Sequence, residues 1–573
     1  MSFRSLSPGH LPPPKRLHVA QPSGTSSVSR VENPGSFFDT ILYDEIILSI
    51  FFYLSWIDLC VVQRTNRNWS RLSLDNQLWK SLYLLEYGRP RLRGVRGFFG
   101  RTDGREVRPL PGHAKSEDIK DWKWMFRISS NWRTGRSSVE TLDAQDHLMP
   151  STTIQEAGRV SEETDEKTHL LLSGNMTIAA TSRRSRSPRI MLMTPVQTIH
   201  VLSCHSTRPA PAVCITALAL DQSPPSPAHR LRLVSLLSTG EFVLFSIDHH
   251  TPANSSRVLT YAPTTRSART SPINQAVYHH PLLATLSESF HLSLYDLSDN
   301  TIRHTQTLTS FTSHPPSSLV LSTISPSTYK LVLAYAIPVY PSHWSVGATE
   351  LIIRGDPDAR MTVTATRTTR AIDVPQGWID ENKLRLIREQ WARKVARVAD
   401  TQTDGKWVVL APADPLAPSA LDSHAAPTSA SHSSSSASSS RMTTYTSSSM
   451  HTASALQLYR LHLPASGSAS APKLTFVRSL HGQIGPVSSL SLADGRCVSL
   501  GVNGSIWVWD LEGGTGAEVS GAVDALGESR GRKGEEKEEP EREVMSTKGS
   551  VVFDERKIVS ASGGEVKVWR FDV

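Results

Sequence analysis

The stretch that decides the fold is LHGQIGPVSSLSLADGRCVSLGVNGSIWVWDLEGG, residues 480–514. Three short apolar runs occur in it, at 487–492, 497–500 and 505–510. The pair Asn503-Gly504 separates the last two runs, and both residues accept the positive φ of a tight type I′ turn. The pattern therefore predicts a meander of antiparallel strands joined by hairpins.

The same plan recurs along the chain after residue 137. In the last 23 residues, the runs 557–561 and 566–570 flank a Gly563-Gly564 turn. Other short, β-favouring runs are separated by turns rich in Gly, Pro, Asn, Asp and Ser. They lie at 169–172, 214–220, 231–237, 242–247, 282–286, 292–297, 331–335, 351–353 and 551–553. Long helical patterns are almost absent, so we predict an all-β region.

These units resemble the WD repeat, a four-stranded blade of roughly 40–45 residues in a β-propeller. The resemblance rests on the Trp-Asp dipeptide and a serine, with Gln and Asn where the repeat usually has His and Asp. EFVLFSID (241–248) and FHLSLYDL (290–297) are expected to be third strands, with Phe245 and Tyr295 at the Trp position. The resemblance implies structural roles for Gln483, Ser499, Asn503, Trp509, Asp510 and Trp569.

Chain length sets the expected number of blades. Two low-complexity stretches, 413–453 and 514–547, cannot bury enough apolar surface to order, so we expect disordered insertions there. The remainder of 137–573 allows seven or eight blades, and we predict seven. Since Val573 follows shortly after a strand, closure of the ring should need a strand from near residues 137–145.

One amphipathic helix interrupts the β region at 378–399, with Asp380 as its N-cap. Its apolar positions at helical spacing are Leu384, Ile387, Trp391, Val395 and Val398. Its basic positions on the other face are Arg385, Arg388, Arg393, Lys394 and Arg397. A solvated face and a docking surface both agree with this charge.

Residues 42–80 read LYDEIILSIFFYLSWIDLCVVQRTNRNWSRLSLDNQLWK and contain neither Pro nor Gly, which predicts a compact helical unit. The segment 42–54 is apolar nearly all round, so one face needs a partner. The unit resembles an F-box, with Tyr43 where the family usually has Pro. In that family the partner is the Skp-type adaptor of a cullin-based ubiquitin ligase. The resemblance implies adaptor-binding roles for Leu42, Tyr43, Ile46, Ile47, Ile50, Leu54, Leu59, Trp69, Leu78 and Trp79.

Residues 121–136, DWKWMFRISSNWRTGR, resemble the helical linker of F-box/WD proteins. That linker ends in an Asn-Trp-x-x-Gly run before the first blade strand, here Asn131, Trp132 and Gly135. The expected organisation is a disordered tail (1–35), an F-box (36–87), a basic loop and helical linker (88–136), and a WD-repeat-like β-propeller (137–573).

The resemblance to F-box/WD proteins implies a substrate receptor of an SCF-type E3 ubiquitin ligase, with no catalysis or cofactor of its own. The F-box would bind the adaptor and, through it, the cullin, and the propeller would bind a protein target. In related receptors, arginines on the propeller hold a phosphorylated segment. Two alternatives stay open: a non-ligase WD-repeat scaffold, and nucleic-acid association through the seven arginines of 89–108.

Composition and charge reduce the number of possible functions. The 573 residues carry a net charge of +8, but residues 1–136 alone carry +9, so the propeller as a whole is not a nucleic-acid-binding surface. Four cysteines without zinc spacing exclude a disulfide scaffold and give no metal site. We find no catalytic sequence motif. The longest apolar run, 46–57, is too short to span a bilayer and no signal peptide is evident, so we expect the nucleus and/or cytoplasm.

Overall fold

The computed structural model describes residues 42–88, 121–142, 167–194, 199–208, 212–223, 230–248, 251–263, 271–298, 301–310, 312–339, 342–355, 361–372, 377–413, 455–464, 470–493, 495–520, 549–562 and 565–573. The predictions for 1–35, 89–108 and 414–453 fall outside these residues. The chain divides into two compact units, Met1–Leu78 and Trp79–Val573.

The first unit holds a set of short helices in its described part. They are α1 (Asp44–Phe51), α2 (Trp56–Val62), α3 (Arg67–Ser73) and the start of α4 (Asn76–Tyr83). Ser55 caps α2 by accepting the Asp58 N–H at 3.3 Å, and Asn66 caps α3 by accepting the Trp69 N–H at 2.7 Å. Side-chain caps of this kind satisfy backbone donors that a helix start leaves open. They explain why the apolar run breaks into separate helices.

The second unit begins with helical segments and continues into strands. The helical segments are the end of α4, a π-helix (Leu84–Gly88), the linker helix α5 (Trp122–Thr134), a 3₁₀ turn (Pro252–Asn254) and α6 (Glu381–Trp391). The strands form seven four-stranded antiparallel sheets, each a meander. The predicted seven-bladed β-propeller is therefore confirmed.

The blades follow chain order. Blade 1 holds β2 (Thr168–Ser173), β3 (Met176–Thr181), β4 (Arg189–Met193) and β5 (Ile199–Ser203). Blade 2 holds β6 (Ile215–Leu220), β7 (Arg230–Leu237), β8 (Phe242–Asp248) and β9 (Ser256–Tyr261). Blade 3 holds β10 (Ile273–His279), β11 (Leu282–Ser287), β12 (His291–Asp296) and β13 (Arg303–Thr309). Blade 4 holds β14 (His314–Ser325), β15 (Thr328–Val339), β16 (His343–Gly355) and β17 (Met361–Arg370).

The remaining blades include the one that closes the ring. Blade 5 holds β18 (Val398–Thr403), β19 (Trp407–Pro412), β20 (Leu456–His462) and β21 (Lys473–Leu480). Blade 6 holds β22 (Val487–Ala493), β23 (Arg496–Gly501), β24 (Ile506–Asp510) and β25 (Thr515–Ser520). Blade 7 holds β26 (Ser550–Phe553), β27 (Lys557–Ser562), β28 (Glu565–Arg570) and, from the other end of the chain, β1 (Ser138–Leu142).

The closure strand confirms the expectation for residues 137–145. Strand β1 pairs antiparallel with β28, in a register that places Val139 opposite Trp569. Because β1 pairs with β28, blade 7 has its full set of four strands and the edge of β28 is not left open.

The core lies between the blades. Alternate side chains of each strand face the two neighbouring sheets, so blades 1 and 2 share a buried cluster that includes Met176, Ile190, Leu233 and Phe245. Similar clusters join blades 3 and 4 and blades 5 and 6. The segments predicted as third strands, 241–248 and 290–297, are β8 and β12, the third strands of their sheets.

Two sequence predictions need correction. The insertion expected at 514–547 begins too early, because residues 515–520 form β25; this outer strand is largely exposed and carries no apolar alternation. The helix expected at 378–399 spans only Glu381–Trp391, although Asp380 does cap it. Val395 instead forms a β-bridge with Trp344, and Val398 begins a strand.

Candidate functional site

The first unit exposes an unusual amount of apolar surface. Three of the predicted adaptor-binding residues are exposed on or next to α1: Tyr43 (76%), Ile46 (45%) and Ile50 (50%). They form the core of what we call the F-box apolar face. Apolar side chains that folding leaves exposed at such density mark an interaction surface.

Sequence reasoning missed part of this face. The further exposed residues are Phe52, Tyr53, Trp56, Ile57 and Val61. Four of them lie in the apolar run 46–57, so the density of the run was the signal that could have found them. They extend the F-box apolar face from α1 into α2.

Four predicted adaptor-binding residues are buried instead. Ile47, Leu59, Leu78 and Trp79 are each 5% exposed or less, so their side chains have no surface to offer a partner. We correct these four to core positions. Leu42, Leu54 and Trp69 are half-buried, and the Trp69 ring meets Phe51 edge-on at 5.7 Å. Only the exposed part of each of these three side chains could contact an adaptor.

The linker helix α5 is anchored to the propeller through the Asn-Trp pair. Asn131 donates its amide to the Phe571 carbonyl at 2.9 Å, and the Trp132 indole donates to the Glu555 carbonyl at 2.9 Å. The Trp132 ring stacks on Phe571 with centroids 4.0 Å apart and is 3% exposed. These bonds join residues more than 420 positions apart, at the point where the two ends of the propeller meet.

Two arginines that the sequence did not single out complete the anchor. The Arg496 guanidinium lies 4.8 Å from the centre of the Trp132 ring, and Arg556 lies 5.1 Å from the Trp124 ring. Both arginines belong to the first hairpins of their blades, around β23 and β27. Stacking of a cation on a largely desolvated aromatic face contributes on the order of 1–2 kcal/mol.

Gly135 ends α5 in the left-handed region, at φ +73°. A Cβ at this position would lie 2.9 Å from the Glu518 carbonyl carbon and closer still to its oxygen, in strand β25. Only glycine permits both the turn and this close approach. The Asn-Trp-x-x-Gly run thus joins the linker helix to blades 6 and 7.

Within the second unit, residues from Trp79 onward pack on the linker helix. Trp79 and Tyr87 both meet the Phe126 ring, at 5.6 and 5.3 Å, and Tyr83 meets Trp122 at 5.5 Å. Burial raises the pKa of Tyr87. Trp79 therefore packs the end of α4 against the linker helix α5.

The predicted blade network exists in blade 6. The Ser499 hydroxyl donates to Gln483 Oε1 at 2.5 Å and accepts from Trp509 Nε1 at 3.1 Å, so Gln483 takes the place of the usual His. Asn503 accepts from Ser505 rather than joining this chain, and Asp510 accepts two backbone N–H groups of the next turn. In the final blade Trp569 is buried, and its Nε1 has no partner among the described residues.

The meander gives the propeller two distinct faces. We call the side with the turns between first and second strands the linker face, because Glu555 and Arg496 belong to such turns or their edges. Connections between blades, and turns between second and third strands, lie on the opposite face. The described strands that end at Leu142, Pro412 and Ser520 all end on that opposite face.

The first strands of all seven blades line a central cavity of about 260 Å³. Its lining includes His169, whose pKa burial lowers to about 3, so that the ring is neutral at physiological pH. Among the described residues, no group of three or more His, Cys, Asp or Glu side chains is arranged to hold a metal ion. None of the described helices has the length and apolar character needed to cross a membrane.

Comparisons with known proteins agree with this anatomy. The family model for the F-box protein pof12 β-propeller matches residues 190–568, and an F-box-like model matches residues 44–85. A search of curated proteins finds no match.

Three solved structures match this chain at low sequence identity and low TM-score. The β-propeller domain of Myceliophteria thermophila Cps50 (Swd1) is 10% identical, with TM-score 0.33, over 71% of this chain and 98% of that one. The designed protein Ika8 is 12% identical, with TM-score 0.31 and the same coverage. A complex of KlAtg21 with the coiled coil of AgAtg16 is 14% identical, with TM-score 0.24, over 35% of this chain and 57% of that one.

Proposed function

The chain belongs to the F-box protein pof12 β-propeller family, and from this premise we propose that it is a substrate-recognition subunit of an SCF-type E3 ubiquitin ligase. Its F-box binds a Skp-type adaptor and thereby a cullin, and its propeller binds the target protein. The observation that carries the proposal is the F-box apolar face, exposed at Tyr43, Ile46 and Ile50.

The anchoring of α5 to the propeller supports the use of separate surfaces for adaptor binding and target binding. Because α5 occupies the linker face of the propeller, the opposite face is free of it, and the described blades connect to one another on that opposite face. Loops on a rigid scaffold are the usual place for binding residues. We therefore assign target binding to the opposite face.

The receptor itself carries out no covalent chemistry under this proposal. It raises the effective concentration of target lysines near a ubiquitin-charged enzyme, an effect that needs binding and geometry alone. We expect it to act in the nucleus or the cytoplasm, because all four of its cysteines are free thiols, as is typical of reducing compartments.

Affinity purification of the full-length chain from cells tests the proposal. Wild type and the control Ile324→Asp, altered at an exposed isoleucine of blade 4, should recover the adaptor and the cullin. The double variant Ile46→Asp/Ile50→Asp should recover neither, because it places two carboxylates on the F-box apolar face. Equal recovery by all three proteins, or no recovery by wild type, would show the proposal to be wrong and would favour a non-ligase scaffold.

A further inference from the structure

Helix α6 lies in the connection between blades 4 and 5, which leaves the propeller on the face opposite the linker. It is held mainly at its C-terminal end. There Gln457 donates to the Arg393 carbonyl at 2.9 Å, and the Arg393 guanidinium lies 4.2 Å from the Phe476 ring. The bridge between Val395 and Trp344 fixes the chain just beyond.

The apolar side of this connection is only partly covered in the described structure. None of the 11 residues of α6 is buried. Trp378 is 85% exposed, Ile379 42% and Leu384 38%. A helix this short is marginal in water unless an apolar face packs against something. The apolar positions predicted at helical spacing are only partly covered, because Leu384 is exposed and Ile387 and Trp391 are half-buried. A face left partly covered is available to a partner.

The charge around these apolar residues is positive. Residues 377–397 carry six basic side chains against Asp380, Glu381 and Glu389. Asp380 is occupied as the helix cap. Arg385 and Arg388 are exposed, and no carboxylate of the described chain lies within ion-pair distance of either, although Glu381 is four residues before Arg385. Such cations favour an acidic partner.

We propose that Trp378, Ile379, Leu384, Arg385 and Arg388, the α6 surface, dock a segment of the target protein that carries apolar side chains flanked by carboxylates. The inference rests on the proposed receptor function and names the chemistry of its target. The three apolar residues bury against apolar side chains of the target. The two guanidiniums pair with its carboxylates, for which their fork geometry is suited.

A peptide-binding experiment tests the α6 surface. The probe is a fluorescent 16-residue peptide that alternates Leu and Phe with Asp and Glu, titrated with the full-length chain at low and at physiological salt. Two matched probes replace the acidic residues with Lys or the apolar ones with Ser. The acidic, apolar peptide should bind, both matched probes should bind at least tenfold more weakly, and added salt should weaken binding.

Variants locate the site. Trp378→Ala/Leu384→Ser and Arg385→Glu/Arg388→Glu should each weaken binding of the acidic peptide at least tenfold. The control Ile324→Ser/Arg303→Glu changes one exposed isoleucine and one exposed arginine on blades 4 and 3, and should leave binding unchanged. Equal binding by all variants, or no binding of the peptide by wild type, overturns the proposal.

Two other partners of the α6 surface would give different experimental results, and either result overturns the proposal. A concentration-dependent dimer in sedimentation that the α6 variants abolish would assign the surface to a second copy. Binding to phosphatidylserine–phosphatidylcholine vesicles but not to the peptide would assign it to a lipid surface. Failure of the receptor function is separable, because adaptor binding should be unaffected by the α6 variants, and Ile46→Asp/Ile50→Asp should leave peptide binding unaffected.

Discussion

The joint at Gly135 gives the sharpest stability prediction. In Gly135→Ala the new Cβ meets the Glu518 carbonyl group, 2.9 Å from its carbon and nearer to its oxygen, where neither backbone can yield cheaply. The left-handed backbone adds about 1 kcal/mol for a residue with a side chain. Relief of the clash requires the end of α5 to lift, which forfeits the Trp132 packing, of the order of 3–5 kcal/mol for a buried Trp. We expect the free energy of unfolding to fall by about 4 kcal/mol or more.

A second glycine with a similar φ serves as a control that separates the cost of the steric clash from the cost of the backbone conformation. Gly495 has φ +67°, but a Cβ there meets nothing within 4 Å. Gly495→Ala should therefore cost only about 1 kcal/mol, the backbone term alone. Urea unfolding of the full-length chain, followed by tryptophan fluorescence, measures both variants, with hydrogen exchange of α5 as a local readout. Equal losses for the two variants, or full exchange protection of α5 in Gly135→Ala, would refute the close approach of the linker to β25.

Three further predictions concern buried polar groups. Ser499→Ala removes the hydroxyl between Gln483 and Trp509, leaves two buried groups unpartnered, and should lower the free energy of unfolding by about 2–4 kcal/mol in urea titrations. Burial raises the pKa of Asp404 to about 6, so the native state retains its proton while the unfolded state loses it. The stability that this proton contributes should fall by about 2 kcal/mol as pH rises from 4 to 6, and Asp404→Asn should abolish the fall. Burial lowers the pKa of His169 to about 3, so stability should fall by about 1.4 kcal/mol per pH unit below 6.5, and His169→Gln should lessen that fall.

Each of these predictions has a contradicting result. A Ser499→Ala variant as stable as wild type would show that the hydroxyl bridges nothing. Parallel stability curves for wild type and Asp404→Asn between pH 4 and 6 would show that this carboxyl is solvated in the native state. The same acid sensitivity in His169→Gln and wild type would show that the imidazole takes up its proton without unfolding.

Much of the fold could be predicted because it depends on local patterns. The Asn503-Gly504 turn and the alternating runs beside it fix a hairpin, and repetition of that unit fixes the architecture. The strand that closes the ring followed from a last blade one strand short. Asn131, Trp132 and Gly135 marked the linker joint, because that joint needs a donor, a large ring and a left-handed turn at fixed spacing.

What the sequence did not reveal depends on tertiary environment. The outer strand β25 faces solvent, so it lacks the apolar alternation by which strands are recognised. Leu59 and Trp79 match F-box positions, but a pattern cannot tell a residue that packs inward from one that faces a partner. Arg496 and Arg556 lie far in sequence from the rings they cover, and nothing near them in the chain indicates those contacts.

The binary affinity of the purified full-length chain for a purified Skp-type adaptor tests the central claim most directly. Calorimetry should show 1:1 binding by wild type and by Ile324→Asp. Burial of an exposed isoleucine contributes on the order of 1–2 kcal/mol, and a carboxylate at the same place adds a desolvation penalty. Ile46→Asp/Ile50→Asp should therefore weaken binding at least a hundredfold, since each 1.4 kcal/mol is a factor of ten. A folded wild-type chain that does not bind the adaptor, or a double variant that binds as tightly as wild type, would contradict the account.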